Sequence, residues 1–221
     1  MEDWLNKVTY GNINQTMVKE IQKKCIADEV IPILDKNYKS QLTPPENNSQ
    51  TVKDELNQLV EMVSSLSDEK NKEHLRRYLK YDKQLLQVIL ATFIEMGMDV
   101  TDVVKSINKD INPTIIKLKQ KYQRPRPYQL AEYYKLKLFP FASYSAHSPS
   151  YPSGHTLQAY CILNVIGNKF PKTFSFCKKM IDDVAYSRVY LGQHFPSDND
   201  ASYLIGAEIL KLKEFSKKYE I

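Results

Sequence analysis

The stretch TVKDELNQLVEMV, residues 51–63, decides the fold class of this chain. Its apolar residues recur at steps of three and four, the spacing that places side chains on one face of an α-helix. The residues that share this spacing are Val52, Leu56, Leu59, Val60 and Val63. The same spacing returns along the whole chain, and no run alternates as a strand does. The sequence therefore predicts an all-α fold.

Helix-start signals divide the N-terminal half. Thr51 with Asp54 resembles a capping box that opens the first of these helices. Ser67 precedes a longer helix that we expect to end near Gly97. The preceding segment TPPENNSQ, residues 43–50, has the composition of a surface loop.

The second half contains a long irregular segment between helices. Asn112 with Pro113 is typical of a helix start, and that helix should reach about Tyr122, where the prolines of QRPRP stop it. Residues 124–155 then predict a short helix followed by a long loop. Three further helices should cover about residues 153–167, 172–192 and 197–215.

Length and charge limit the classes of protein that fit. A chain of 221 residues is within the range of one domain, for which we expect residues 1–100 to form a helical scaffold and 113–215 the functional core. The net charge of +5 is mild and spread along the chain, which argues against nucleic acid as a partner. A homo-oligomer is compatible with this composition.

The N-terminus and the longest apolar run bear on location. MEDWLNKVTYGNINQT, residues 1–16, lacks the apolar core of a signal peptide. The run LLQVILATFIEMGM, residues 85–98, contains Glu95 and is too short to cross a membrane. We therefore expect no transmembrane segment and an intracellular protein, although a periplasmic or secreted protein would look the same after its signal is removed.

The three cysteines have neither disulfide nor zinc-site spacing, and we expect buried thiols. They are Cys25, Cys161 and Cys177.

The first cluster of chemical interest is KQKYQRPRP, residues 119–127. Lys119 lies seven residues before Arg126, and Lys117 with Arg124 satisfies the same K-x6-R-P pattern. Helical phase favours Lys119, because it lies one turn from Ile115 on a face expected to be buried. A lysine is seldom buried without an anionic partner. Taken alone, the fragment fits a solvated basic cluster at a helix end better than a phosphate site.

The second cluster is YPSGH, residues 151–155, where a loop becomes a helix. Free backbone N–H groups at a helix start attract anions, and Gly154 lets an oxyanion approach closely. The Ser153 hydroxyl is a further donor, with His155 beside it. These features suit a phosphate cradle, although such a helix start is common.

The third cluster is SRVYLGQHFPSD, residues 187–198. Arg188 falls on an apolar helical face, so its side chain should point inward and bind an oxyanion in bidentate geometry. His194 follows six residues later, and Asp198 can orient one ring nitrogen while the other stays free to attack. The simpler alternative is a capping aspartate beside a core histidine.

In order along the chain, the three clusters read K-x6-R-P, PSGH and S-R-x5-H-x3-D. This series resembles the type-2 phosphatidic acid phosphatase and vanadium haloperoxidase superfamily, whose members are helical bundles with the active site at the ends of core helices. Size and the wording SYPSGHT are most like the soluble bacterial class A acid phosphatases. The basic residue Arg124, two places before the motif arginine, matches that subgroup and favours the Lys119/Arg126 register.

The resemblance implies a metal-independent phosphomonoesterase with no cofactor, whose site can hold phosphate or vanadate, acting on a small phosphorylated substrate. His194 would be the nucleophile, His155 the proton donor and Asp198 the residue that orients His194. The phosphate would be held by Lys119, Arg126, Ser153, Gly154 and Arg188. Phosphotransfer to an alcohol is a variant of the same chemistry.

Three alternatives remain open at this point. The same cradle could hold vanadate in a haloperoxidase, or the substrate could be a lipid or isoprenyl phosphate. A protein without activity could also keep the anion pocket for binding a partner.

Other side chains could border the site. His147 and Arg124 are candidates for the pocket rim. Several tyrosines could line the mouth or pack inside, namely Tyr128, Tyr133, Tyr134 and Tyr144. His74 lies among charged residues and should be at the surface.

Overall fold

The computed structural model describes residues 3–11 and 25–221, and the regular structure in these two ranges is entirely helical. This confirms the all-α prediction. The expected scaffold, residues 1–100, lies partly outside the described residues, as does part of the N-terminal segment 1–16.

The first half contains α1 (Ile26–Asn37), α2 (Lys39–Leu42), α3 (Gln50–Leu66), α4 (Lys72–Glu95) and α5 (Thr101–Tyr122). The second half contains α6 (Pro127–Ala131), α7 (Gly154–Lys169), α8 (Phe174–Tyr190), α9 (Pro196–Lys211) and α10 (Lys213–Tyr219). Short 3-10 helices cover Asp3–Lys7, Glu69–Asn71 and Pro171–Thr173.

The predicted start of α3 was off by two residues. Ser49, not Thr51, is the N-cap, and its hydroxyl accepts a hydrogen bond from the Val52 backbone N–H at 3.3 Å. A serine before a helix satisfies one of the orphan N–H groups of the first turn. Residues 43–49 form the predicted loop, so the segment TPPENNSQ was one residue too long.

The predicted start of α5 at Asn112 and Pro113 was wrong. The helix begins at Thr101, whose backbone N–H donates to the Asp99 carboxylate, and it continues through Pro113. The apolar stripe of Val104, Ile107 and Ile111 is fully buried, and this packing outweighs the helix-breaking tendency of one proline. The helix does end at Tyr122, where Gln123 adopts a left-handed conformation with φ 49°.

The long helix expected between Ser67 and Gly97 is interrupted. A 3-10 turn precedes α4, and Gln84 inside α4 has non-helical dihedral angles, φ −153° and ψ 48°. The last predicted helix is also divided, since Leu212 separates α9 from α10 in an extended conformation.

Helix α7 lies at the centre of the molecule. It packs against α5, α8 and α9, and most of its side chains are buried, so the start of α7 is held in place by three neighbouring helices. The apolar face of α3 forms a second cluster with Leu130 of α6 and Phe195, just before α9. These two clusters enclose the segments that carry the motifs.

Within the described residues, none of the helices is both long enough and apolar enough to cross a membrane.

The cysteines are all free thiols. Cys161 and Cys177 are buried as expected, but Cys25 is partly exposed and lies at the N-cap of α1, outside the helix. Burial raises the pKa of Cys177, so this thiol is a packing residue.

Candidate active site

The three motifs meet at one cavity of about 250 Å³ between the N-terminal end of α7 and the C-terminal half of α5. The ionisable side chains in its wall are those of Lys119, Arg126, His155, Arg188 and His194. The remaining wall is formed by Asn112, Ile115, Ile116, Gln120, Ser145, Ser148, Pro149, Gly154 and Gln158. Residues far apart in the sequence thus converge on a cationic pocket.

Lys119 is the lysine of the cavity, which settles the register of the first motif. Its ammonium donates to the backbone carbonyl of Pro149 at 2.5 Å, and its side chain is buried. Lys117 instead forms a surface ion pair with Asp28. The helical-phase argument therefore chose correctly, because α5 turns residues 115 and 119 toward the same cavity.

Arg126 contacts the histidine of the third motif directly. Its Nη1 donates to the Gln193 backbone carbonyl and approaches His194 Nε2 at 2.9 Å, while Nε donates to the Ser148 carbonyl. An arginine has no acceptor, so Nε2 must offer its lone pair and the ring proton belongs on Nδ1. The imidazole therefore presents an unprotonated nitrogen at the cavity.

Asp198 fixes that tautomer. Its Oδ2 lies 3.1 Å from His194 Nδ1 and also accepts the Phe195 backbone N–H at 3.0 Å. The carboxylate is fully buried, and the adjacent Arg124 is the largest influence that holds its pKa well below the usual range against the opposing effect of burial. The triad-like arrangement expected from the sequence is thus present in the geometry.

Arg124 lies behind this pair, not at the pocket rim where the sequence placed it. Its Nη1 donates to Asp198 Oδ1 at 2.6 Å and to the Ser197 hydroxyl, and the guanidinium stacks on the Phe195 ring at 4.0 Å. Nη2 reaches Glu55 of α3 at 3.2 Å. Arg124 is not among the described residues that line the cavity, so it does not face a ligand there.

Glu55 was not identified from the sequence. It accepts hydrogen bonds from Arg124 and from the Ser197 backbone N–H at 2.7 Å, so it anchors both the arginine and the start of α9. Burial raises the pKa of Glu55. A glutamate within the apolar spacing of α3 was the signal available, since a charged residue on a core-facing helix needs a partner.

Arg188 points inward as predicted, but its anchor was also missed. Asp82 of α4 accepts a 2.7 Å hydrogen bond from Arg188 Nη1, and both side chains are buried. The same carboxylate accepts from Ser143 and Ser145 hydroxyls and from the Tyr144 backbone N–H. Asp82 therefore fastens the loop above the cavity and the motif arginine together.

The start of α7 offers unpaired donors. The helix has no side-chain N-cap bond, and Gly154 lines the cavity, so first-turn N–H groups that no side chain caps lie beside it, an arrangement typical of anion sites. A Cβ atom on Gly154 would lie 3.4 Å from Ile115 and 3.9 Å from the Lys119 side chain. Because glycine has no Cβ, this volume remains part of the cavity.

The Ser153 hydroxyl does not face the cavity. It lies 2.8 Å from Thr156 Oγ1, which itself donates to Asn199 at 2.7 Å, so the single hydroxyl proton of Ser153 is directed at Thr156. Its backbone N–H donates to the Asp198 carbonyl. In this arrangement Ser153 ties the start of α7 to α9 and leaves anion contacts to the backbone of α7.

His155 opens on the cavity beside these donors. Burial and then the charge of Arg188 lower the pKa of His155, and Asp82 opposes that shift. The pKa of His194 is likewise held far below normal, mainly by burial and then by Arg126. Both shifts favour the neutral imidazole at neutral pH.

Burial and neighbouring positive charge also lower the pKa values of two cationic side chains. Burial, followed by Arg126, places the pKa of Lys119 well below its ordinary value, and burial with Arg188 lowers the pKa of Arg126 to about 10. Positive groups held this close favour a bound anion, because an anion would relieve their repulsion.

The remaining candidates lie away from the cavity wall. His147 is exposed on the loop between Ser145 and Ser148, and it is absent from the described residues that line the cavity, so the rim position predicted for it is not observed. The tyrosines are dispersed: Tyr134 bonds to the Asn47 carbonyl, Tyr133 packs on Trp4, Tyr128 is half-buried and Tyr144 is exposed. His74 is at the surface, as expected, and stacks on Tyr78.

Comparison with known proteins agrees with this geometry. A family model described as the PAP2 superfamily matches residues 85–212, which include all three motifs. Among solved structures, the chain is similar to a transmembrane PAP2 type phosphatidylglycerolphosphate phosphatase from Bacillus subtilis, with a TM-score of 0.53 and 17% identity, over 93% of this chain and 98% of that one. At this identity the likeness concerns the fold alone. A comparison with curated proteins gave no match.

Since the family model covers more than half of the 221 residues, the chain belongs to the PAP2 superfamily, and this membership indicates a phosphatase.

Proposed function

We propose that this protein is a metal-independent phosphomonoesterase, similar to the acid phosphatases, that works through a phosphohistidine intermediate. The observation that carries the proposal is the environment of His194. Asp198 holds its Nδ1 at 3.1 Å, and its Nε2 faces a cavity lined by Lys119, Arg126 and Arg188. A neutral imidazole that presents its unprotonated nitrogen to a cationic anion pocket becomes a nucleophile aimed at phosphorus once a bound phosphate takes over the Arg126 N–H that this nitrogen now accepts.

In the first step, Lys119, Arg126, Arg188 and the first-turn N–H groups of α7 hold the phosphate oxygens. The Nε2 lone pair of His194 forms a bond to phosphorus as the bond from phosphorus to the leaving oxygen breaks. His155 gives its proton to that oxygen. Fixed positive charge around the equatorial oxygens lowers the barrier without reorganisation during the reaction.

In the second step, water attacks the phosphohistidine. His155, now neutral, takes one proton from the water, the P–N bond breaks, and inorganic phosphate leaves. Asp198 stabilises the positive charge that develops on His194 in the first step. A dianionic substrate raises the low pKa of His155, so binding supplies the proton donor that the empty pocket lacks.

The test is hydrolysis of p-nitrophenyl phosphate between about pH 5 and 8 in EDTA, with orthovanadate as inhibitor. We expect turnover that vanadate blocks and that His194→Ala abolishes. His74→Ala is the matched control, because His74 is exposed and lies outside the cavity. A rapid-quench experiment with a labelled substrate should trap base-stable, acid-labile phosphate on wild type and none on His194→Ala.

Turnover that survives His194→Ala would contradict the nucleophile assignment. Bromide oxidation with vanadate and peroxide, without phosphatase activity, would instead identify a haloperoxidase. Inactivity in both assays, with oxyanion binding retained, would leave an anion-binding protein.

A further inference from the structure

The cavity has two chemically different ends. The cationic end contains the residues proposed to hold the phosphate. One or two helical turns away from Lys119 and Gly154, the polar lining side chains on α5 and α7 are the uncharged amides of Asn112 and Gln158, beside Ile115 and Ile116. The leaving group of a bound ester would extend toward this end.

Helical spacing places the amides along the path of the leaving group. Gln158 lies one turn beyond Gly154 on α7, a rise of about 6 Å, and Asn112 lies two turns before Lys119 on α5, about 10 Å away. Both line the same cavity as Gly154 and Lys119. An extended alcohol of about six carbons spans a similar length, roughly 7 Å.

The amides are joined in one network. Gln158 Nε2 donates to Asn108 Oδ1 at 2.8 Å and to Asn112 Oδ1 at 3.3 Å. Among the described residues, no partner is recorded for the second polar atom of the Gln158 amide or for the amide nitrogen of Asn112. Each of these half-buried side chains therefore keeps hydrogen-bonding capacity for a ligand.

We propose that this site selects phosphate esters of hydroxylated alcohols, the polyol and sugar phosphates, through Asn112 and Gln158. The inference rests on the proposed function and names its substrate class. Hydroxyl groups can pair with both amide donors and acceptors, and the C–H faces of such an alcohol pack against Ile115 and Ile116. An alkyl chain in the same place would remove water from the amides without replacing its hydrogen bonds.

The same wall disfavours a second phosphate. The described lining residues at the amide end carry no cation, so a bisphosphate would place its other charge beside neutral groups. The preferred substrate therefore has one phosphate and an uncharged, hydroxyl-bearing alcohol.

The test compares mannitol 1-phosphate with n-hexyl phosphate, two esters with the same number of carbons. We expect wild type to favour mannitol 1-phosphate in kcat/KM by about tenfold or more, and this ratio to fall about tenfold in Asn112→Leu and in Gln158→Met, equivalent to about 1.4 kcal/mol. Asn164→Leu is the control on the same helix, since Asn164 bonds to the Tyr160 carbonyl away from the cavity, and it should leave the ratio unchanged.

Hydrolysis of p-nitrophenyl phosphate with equal or greater activity on n-hexyl phosphate would overturn the inference while leaving the proposed function intact. A ratio that stays constant in both variants would also overturn it. If no ester is hydrolysed, the proposed function fails, and calorimetric binding of the two esters to wild type decides the inference alone: tighter binding of mannitol 1-phosphate supports it, and equal or weaker binding rejects it.

Discussion

Arg124 donates to Asp198 at 2.6 Å, on the carboxylate oxygen that faces away from His194. The two groups are buried, with 1% and 0% of their side chains exposed. One oxygen of Asp198 therefore orients the proposed nucleophile while the other is fixed by a cation that never reaches the cavity. Glu55 holds the far side of that cation, so the series His194, Asp198, Arg124 and Glu55 runs from the cavity into α3.

Replacing Arg124 should reduce turnover more than substrate binding. Arg124→Met leaves two buried carboxylates without their cation, which should cost about 3–5 kcal/mol of unfolding free energy. A misplaced Asp198 should lower kcat about 10- to 100-fold, with KM changed little, because Arg124 does not line the cavity. Denaturant unfolding and steady-state kinetics on p-nitrophenyl phosphate measure the two effects. A raised KM with unchanged kcat would contradict this prediction and would indicate that Arg124 contacts the substrate at the pocket rim.

Asp82 should be essential for the action of Arg188, although it lies outside the three motifs. Both oxygens of Asp82 accept hydrogen bonds, from Arg188 and from residues 143–145. Asp82→Asn would replace one oxygen by an NH₂ group, which cannot accept and would place two donors against each other. Arg188 and the 143–145 loop should therefore lose their anchor. We expect kcat/KM to fall about 10- to 100-fold. Asp183→Asn is the matched control, because Asp183 pairs with Arg77 between the same two helices outside the cavity. Equal losses in the two variants would point to a general packing effect.

Oxyanion binding should take up protons at neutral pH. The pKa values of Lys119, His155 and His194 are all lowered, by burial first. A bound anion favours the charged form of each group and raises those pKa values, so protons enter with the ligand and affinity should weaken as the pH rises. Calorimetry with tungstate, which does not titrate near pH 7, in buffers of different ionisation enthalpy measures the uptake. Proton release, or heats independent of buffer, would contradict the prediction.

Gly206 should be required for the contact between α7 and α9. A Cβ atom there would lie 2.4 Å from Tyr160 Cδ1, and the Tyr160 ring is held edge-on against Tyr203 at 5.5 Å. Although alanine favours helix over glycine by about 1 kcal/mol, this overlap should dominate, and Gly206→Ala should destabilise the protein by about 1–3 kcal/mol. Thermal unfolding tests this. Adding Tyr160→Ala should make the Gly206→Ala change nearly neutral, and a stabilising single substitution would show that the ring moves aside.

Local patterns determined much of the fold. Apolar spacing predicted the helices, and prolines with a left-handed residue ended α5 near the predicted Tyr122. The prediction failed where packing opposed a local signal. Pro113 was expected to start a helix, but it lies inside α5, whose apolar face is buried on both sides of it. Helical periodicity is readable because it depends only on neighbours a few residues apart. Whether a proline breaks a helix depends on contacts made elsewhere.

The motifs likewise identified the ionisable residues of the cavity from sequence alone. The resemblance of the three motifs to the family implied that Lys119, Arg126, Arg188 and His194 act together, and the structure brings them to one pocket. The sequence also placed Arg124 and His147 at the rim, but the first is buried behind Asp198 and the second points to solvent. Sequence spacing indicates which face of its own helix a side chain lies on. It does not indicate which groups of a neighbouring element that side chain will contact.

The tertiary structure alone decided the partners of those motif residues. Asp82 meets Arg188 across 106 residues of sequence, and Glu55 meets Arg124 across 69. Ser153, expected to face the ligand, directs its hydroxyl to Thr156. Such pairings depend on how α3, α4 and α7 pack around the cavity, because a buried charge or hydroxyl takes the nearest complementary group, and only the packed helices determine which group is nearest.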